Sequence, residues 1–251
     1  MAEHAPVLIM VAVLLPPRSL DALGLLVEER IVRTPFGNVG PLALRRTGSG
    51  QSLWVQPYSG LPTRTDPRAT IYAARALGIQ RVLTWDTGVA VNHALPRGQT
   101  VVAVDVIDAT RQQPGTFFKA AGFEALVGLG ESVESATFCP DATNALHALF
   151  PAAPPAVIVG VDGPRRETAA EARAYRALGA DVICPNIAPE VFLARELGIC
   201  FAAIVTVDAY SRDQVREALE GEVRSGLEHA MAHLPEVAQR LSAPRTCHCA
   251  T

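Results

Sequence analysis

Residues 6–14 form an unbroken apolar run that Pro16 and Pro17 bring to an end. A strand without polar alternation is buried on both faces, which requires a sheet covered by helices on both sides. The remaining chain supplies those layers. Residues 28–33 and 41–56 read as short strands with a Pro-Phe-Gly turn and a Gly-Ser-Gly turn between them. A helix over 68–77 is closed by Gly78, and a strand over 82–85 runs into a turn at Gly88. Strands at 100–107, 156–161, 181–184 and 199–207 then alternate with helices at 141–149, 168–177, 188–197 and 212–233, while 110–137 reads as mixed and loop-like. Strand–helix alternation predicts an α/β fold with a mostly parallel or mixed sheet. No linker, repeat or low-complexity segment divides the chain, so residues 1–251 are expected to form one domain, with 240–251 a flexible tail.

Hydrophobic residues make up 49% and charged residues 19%, enough apolar material for a large core and too little charge for a disordered chain. A net charge of −3 leaves no basic footprint, so nucleic acid is not an expected partner. The apolar segment 5–15 follows Glu3 and His4 and is too short to span a bilayer, so neither a secretory signal nor a membrane partner is expected. Cysteines at 139, 184, 200, 247 and 249 do not resemble a disulfide framework and fit a reducing cytoplasm. Cys247-His248-Cys249 could hold a metal or form a strained disulfide, but reads as part of the tail. His229 and His233 have metal-ligand spacing without an evident third ligand. No metal site and no cofactor are therefore expected.

Several segments carry a resemblance. Arg33-Thr34-Pro35-Phe36-Gly37, the helix starting Arg68-Ala69-Thr70-Ile71-Tyr72-Ala73, and Asp162-Gly163-Pro164-Arg165 with Glu171 downstream occur in order. They are followed by Gly179-Ala180-Asp181-Val182-Ile183, Pro189-Glu190-Val191, Leu193-Ala194-Arg195-Glu196 and Gly198-Ile199-Cys200. Across residues 30–210 this order resembles the trimeric purine nucleoside phosphorylases, and within them the methylthioadenosine phosphorylase branch. The resemblance implies a three-layer nucleoside phosphorylase-like fold with a twisted, partly closed mixed sheet flanked by helices. It also implies a homotrimer, a small-molecule ligand and an active site near the subunit boundary.

Phosphorolysis needs a cradle of N–H groups and cations for phosphate, a held sugar, and an acid for the departing purine. The stretch matching the family's first phosphate turn, 11–17, has no glycine and ends in prolines, which donate no N–H. The second phosphate element reads Tyr58-Ser59-Gly60, without the family's cation. At the third, Trp85 takes the place of a small hydroxyl residue and Asp86 follows it. One like-charge pair at ~4 Å and an effective dielectric of ~20 costs roughly 4 kcal/mol, so Asp86 disfavours phosphate unless Arg64 or Arg68 offsets it.

The family's paired purine-site aspartates correspond to Ala209 and Ser211, with Asp208 one residue early. A register shift is needed to bring Asp208 into the site, because neighbouring strand residues face opposite sides. The ribose region reads Cys184-Pro185-Asn186-Ile187, and Arg166 replaces an aromatic that packs on the base. Asp86 and Asp208 are thus the expected catalytic groups. Tyr58, Ser59, Trp85, Thr87, Gly88, Asp162, Arg166, Pro185, Asn186 and Ser211 are the expected substrate contacts, and His93 is a weaker candidate acid or base. The sequence favours cleavage of a purine or 5′-modified nucleoside by water. It leaves open phosphorolysis, a repurposed lyase, isomerase or cyclase with a bulkier pocket, and a non-catalytic binding protein.

Overall fold

The computed structural model describes residues 5–57, 65–118, 136–217 and 219–249. The apolar run becomes β1 (Val7–Val11), buried at every position. A 3-10 turn at Pro17–Leu23 follows, then β2 (Leu25–Thr34), β3 (Gly37–Arg46) and β4 (Ser52–Gln56). Next come α1 (Pro67–Ala76), β5 (Arg81–Ala90) and β6 (Thr100–Asp108). The order continues with α2 (Pro140–Leu149), β7 (Pro155–Gly160), α3 (Ala169–Ala177), β8 (Val182–Cys184), α4 (Glu190–Glu196), β9 (Cys200–Tyr210) and α5 (Glu222–Leu241).

Among the described residues, all nine strands join one mixed sheet in the order β2-β3-β4-β1-β5-β8-β7-β6-β9, and β9 returns to pair with β5. Strand β5 makes this closure possible through its length. Its first half, Arg81–Trp85, runs parallel to β1, while Val89 and Ala90 pair antiparallel with β8. Along its whole length it also runs parallel to β9. Strands β5, β8, β7, β6 and β9 therefore close a barrel, and β1 to β4 extend from it as an open wing.

Period-two alternation sends neighbouring strand residues into two cores. On one side Leu8, Met10, Val82 and Phe201 pack with Ile71 and Ala74 of α1 and Val191 and Ala194 of α4. On the other, Ile9, Leu83, Trp85 and Ile204 pack with Leu146 of α2 and Leu234 and Val237 of α5. These are the three layers expected of the fold.

Three boundaries differ from the sequence reading. Gly88 lies inside β5 rather than at a turn. A Cβ there would stand 2.5 Å from Val182 Cγ1 and 2.8 Å from Ile183 O, so glycine is what lets β8 and β9 close on β5. The last helix begins at 222 rather than 212, after Gly221 in the left-handed conformation, and continues past Pro235. Proline removes one hydrogen bond there, but the buried face of Ala230, Met231, Leu234, Val237 and Leu241 holds the helix on the core. The segment expected as a free tail is anchored: Arg81 donates to the carbonyls of Leu241 and Ala243, and Asp141 accepts from Thr246 and the Cys247 N–H.

Candidate active site

Parallel strands converge their carboxyl ends at one rim, and ligands in α/β proteins bind there. A cavity of about 580 Å³ opens at this rim. Ala12 and Leu14 beyond β1, Asp86, Thr87 and Gly88 of β5, and Val161 beyond β7 line it, with Pro185 and Asn186 beyond β8 and Asp208 of β9. The loop 162–167 and Glu171 and Tyr175 of α3 form a further wall.

Asp86 is buried at 2% exposure and is surrounded by donors. Its Oδ1 accepts from the Thr87 N–H at 2.7 Å. Its Oδ2 accepts from the Cys184 thiol at 2.8 Å and from the Asn186 side-chain and backbone N–H groups at 2.9 and 3.2 Å. Burial pushes the Asp86 carboxyl up to about 6, and these four bonds act against it without cancelling it. Glu190, the first residue of α4, is a second buried carboxyl in its neighbourhood. Burial, then repulsion from Asp86 and Asp108, brings it to about 7, and its Oε2 has no hydrogen-bond partner.

Asp208 enters the cavity through an irregularity in the β5–β9 ladder. Gly88 pairs with Val207 and Val89 with Ala209, so Asp208 is an extra, unpaired residue. Such a bulge re-aims a side chain, and it provides the register shift that Asp208 needs to face the site. Burial raises the Asp208 carboxyl, while a hydrogen bond from the Thr87 side chain and the charges of Arg166 and Arg97 oppose the rise. Thr87 thus touches both aspartates, one with its N–H and the other with its hydroxyl.

On the opposite wall Asp162 accepts from the Arg111 N–H at 2.9 Å, tying the loop after β6 to the loop after β7. Arg166 is clamped by Glu167, with Nε to Oε2 at 3.0 Å and a terminal nitrogen to Oε1 at 2.9 Å, and it also reaches the Tyr210 carbonyl.

The structure brings Asp86, Asp208, Thr87, Gly88, Asp162, Arg166, Pro185 and Asn186 to one cavity. It places Trp85 and Ser211 elsewhere. Trp85 is fully buried among the residues facing α2 and α5, donating through Nε1 to Thr206, so it offers no stacking surface. The reason is alternation, since Asp86 and Trp85 cannot share a face. Ser211 is buried and bonded to Asp213 and Gln214. It does not cap a helix, because none starts there. His93 is exposed and does not line the cavity, and Arg68 is paired with Asp66 and stacked over Phe36. Tyr58, Ser59 and Arg64 lie outside the described residues.

Three contributors were not singled out from the sequence: Cys184, Glu167 and Glu190. Cys184 stood in the quoted ribose segment and Glu190 after it; Glu167 directly follows the paired arginines, and adjacency to Arg166 was its available signal.

A barrel-closed mixed sheet between helix layers, with its cavity at the strand carboxyl ends, is the nucleoside phosphorylase fold. Among solved structures, a methylthioadenosine phosphorylase from an antarctic soil metagenomic library superposes with a TM-score of 0.81 at 20% identity, over 98% of this chain and 90% of that one. The sequence model of the phosphorylase superfamily matches residues 11–243, and the chain belongs to that family. It is similar to a probable S-methyl-5′-thioinosine phosphorylase of Methanopyrus kandleri, 31% identical over 242 residues, or 90% of this chain and 91% of the relative. A 6-oxopurine nucleoside phosphorylase of Pyrococcus furiosus is 33% identical over 205 residues, 73% of each chain. The protein is accordingly an enzyme of the nucleoside phosphorylase family.

Proposed function

We propose that this enzyme cleaves the glycosidic bond of a purine nucleoside or 5′-modified purine nucleoside, with water rather than phosphate as the nucleophile. The purine nucleoside class is supported by the family and by relatives named for 6-oxopurine nucleosides and methylthioinosine. The choice of water rests on one observation: a buried carboxyl, Asp86, lies in the cavity where the family resemblance expects phosphate contacts. A carboxylate repels a phosphate dianion but accepts a proton from water. As the bond to the base breaks, positive charge grows on the sugar, and a nearby carboxylate stabilises it.

In this reading Asp86 is the base that activates water. Asp208, its carboxyl raised by burial, is the acid that protonates the departing purine. Thr87 positions both through its two hydrogen bonds, and Asn186 and Cys184 orient Asp86. Arg166, held by Glu167, presents a planar cation for the base to stack on or pair with. The Ala12 N–H is bonded to the Trp85 carbonyl, which supports the loss of the first phosphate element. We also read the chain as a cytoplasmic homotrimer. Leu25, Leu26, Val27 and Ile31 on the outermost strand β2 are exposed at 80%, 52%, 45% and 63%, an apolar row that suits contact with another copy.

The test is free-base release from inosine, adenosine and their 5′-methylthio counterparts by protein dialysed free of phosphate. Release at an undiminished rate without phosphate is the expected result. Release that starts only when phosphate is added would sink the hydrolytic reading.

A further inference from the structure

Four of the five cysteines meet at one point remote in sequence and outside the cavity. Cys139 is the N-cap residue of α2, Cys200 is the first residue of β9, and Cys247 and Cys249 lie beyond α5. All four Sγ atoms lie within 4.8 Å of one another, and the Sγ of Cys247 is 3.6 Å from that of Cys139 and 3.4 Å from that of Cys200. Four thiolates around a tetrahedral ion at a metal–sulfur distance of about 2.3 Å stand roughly 3.8 Å apart, which matches this spacing. All five cysteines are free.

The surroundings suit anionic sulfur. The Ala142 N–H in the first turn of α2 donates to the Cys139 sulfur. Arg81, only 3% exposed, is the cross-strand partner of Cys200, and its Nε has no hydrogen-bond partner. The backbone bearing the last two cysteines is aimed inward by Asp141, which accepts from Thr246 and from the Cys247 N–H, and by Arg245, which donates to the Gly198 carbonyl.

We propose that Cys139, Cys200, Cys247 and Cys249 form a structural zinc site that fastens the segment after α5 to the edge of the core. A closed Cys₄ shell leaves no position for substrate, which fits a structural role and not a catalytic one. The four thiols release their protons to solvent as the ion binds, so occupancy falls in acid. The site works independently of the cavity, and its success or failure does not bear on the reaction.

The test uses the full chain, expressed with zinc in the medium and purified in reductant without chelator. Elemental analysis should find about one zinc per chain. Cys247→Ser and Cys249→Ser should each lose most of it and melt at a lower temperature, while Cys184→Ser, which changes the fifth cysteine, should keep it. If the serine variants fail to fold, the wild type still decides. Mercurial titration of the wild type should release its zinc in step with four thiols, and cobalt substitution should give the intense visible bands of a tetrahedral thiolate centre. Zinc at background with these thiols open to alkylation would overturn the proposal. So would recovery of the native protein with these cysteines joined as disulfides.

Discussion

Asp86 holds a charge that burial works against and that the proposed reaction needs. Its carboxyl sits near 6 instead of the usual 3.8, with burial as the cause. A carboxyl that binds its proton more tightly when folded contributes stability at low pH and loses it as pH rises from about 4 to 6. The difference is on the order of 3 kcal/mol. Asp86→Asn drops the charge but also replaces one of the two accepting oxygens with a donor, so its melting temperature should change much less than the wild type's between pH 4 and pH 8. The same variant should lose at least 10²-fold in rate, the scale of a lost general base. The wild-type rate should rise with pH through about 6 as Asp86 gives up its proton, and fall again as Asp208, the proposed acid, gives up its own. A variant whose melting temperature falls as much as the wild type's from pH 4 to pH 8, or that keeps full activity, would contradict this role.

At the same scale the sequence was readable where one residue decides the matter. The order of the motifs singled out Asp86, Asp162, Asn186 and Arg166, and the structure brings these four to one cavity. Trp85 was misread because a strand end and a strand interior look alike in a short apolar run, and only the pairing of β5 with β9 showed that the strand continues. Asp208 was named, but its path into the cavity depends on a bulge, and an unpaired residue leaves no mark in the local pattern.

Among the elements, β5 matters most, because it belongs to both wing and barrel and carries Asp86 and Thr87 at the crossing. Gly88 is what permits that crossing, with three neighbouring atoms within 2.8 Å of where a Cβ would stand. Two of these belong to packed valines and one to backbone, so none can withdraw easily. Gly88→Ala should destabilise by about 2 kcal/mol or more through overpacking. That lowers the melting temperature by roughly 4–8 °C for a chain of this size. It should also reduce activity more than the stability loss accounts for, since Thr87 must move with the strand. A thermal melt paired with a rate measurement well below the transition checks both, and an unchanged melting temperature would show that the barrel closes more loosely than described. Helix α5 carries the other lesson of this scale. Pro235 marks a helix end to a reader of sequence, yet burial of Leu234, Val237 and Leu241 outweighs one missing hydrogen bond.

For the whole molecule, the α/β class and the order of strands and helices were legible from periodicity, because two-sided burial of β1 leaves a continuous apolar run. Barrel closure was not, since it depends on β9 returning to β5 across more than 100 residues of chain. Assembly is the remaining property at this scale. The proposed homotrimer, with the apolar row on β2 as its contact surface, should give a species of three times the chain mass in sedimentation equilibrium. Ile31→Glu, placed in that row at 63% exposure, should shift the protein toward monomers without altering its fold. A wild type that sediments as a monomer at all concentrations would remove the row from any interface.

The central claim concerns the nucleophile, and the sugar product reports it most directly. A cleaved nucleoside should be incubated in ¹⁸O-labelled water containing phosphate, and the sugar product examined by mass spectrometry before its anomeric oxygen exchanges. The account predicts a free sugar carrying one labelled oxygen at C1 and no sugar 1-phosphate; an unlabelled sugar 1-phosphate would contradict it.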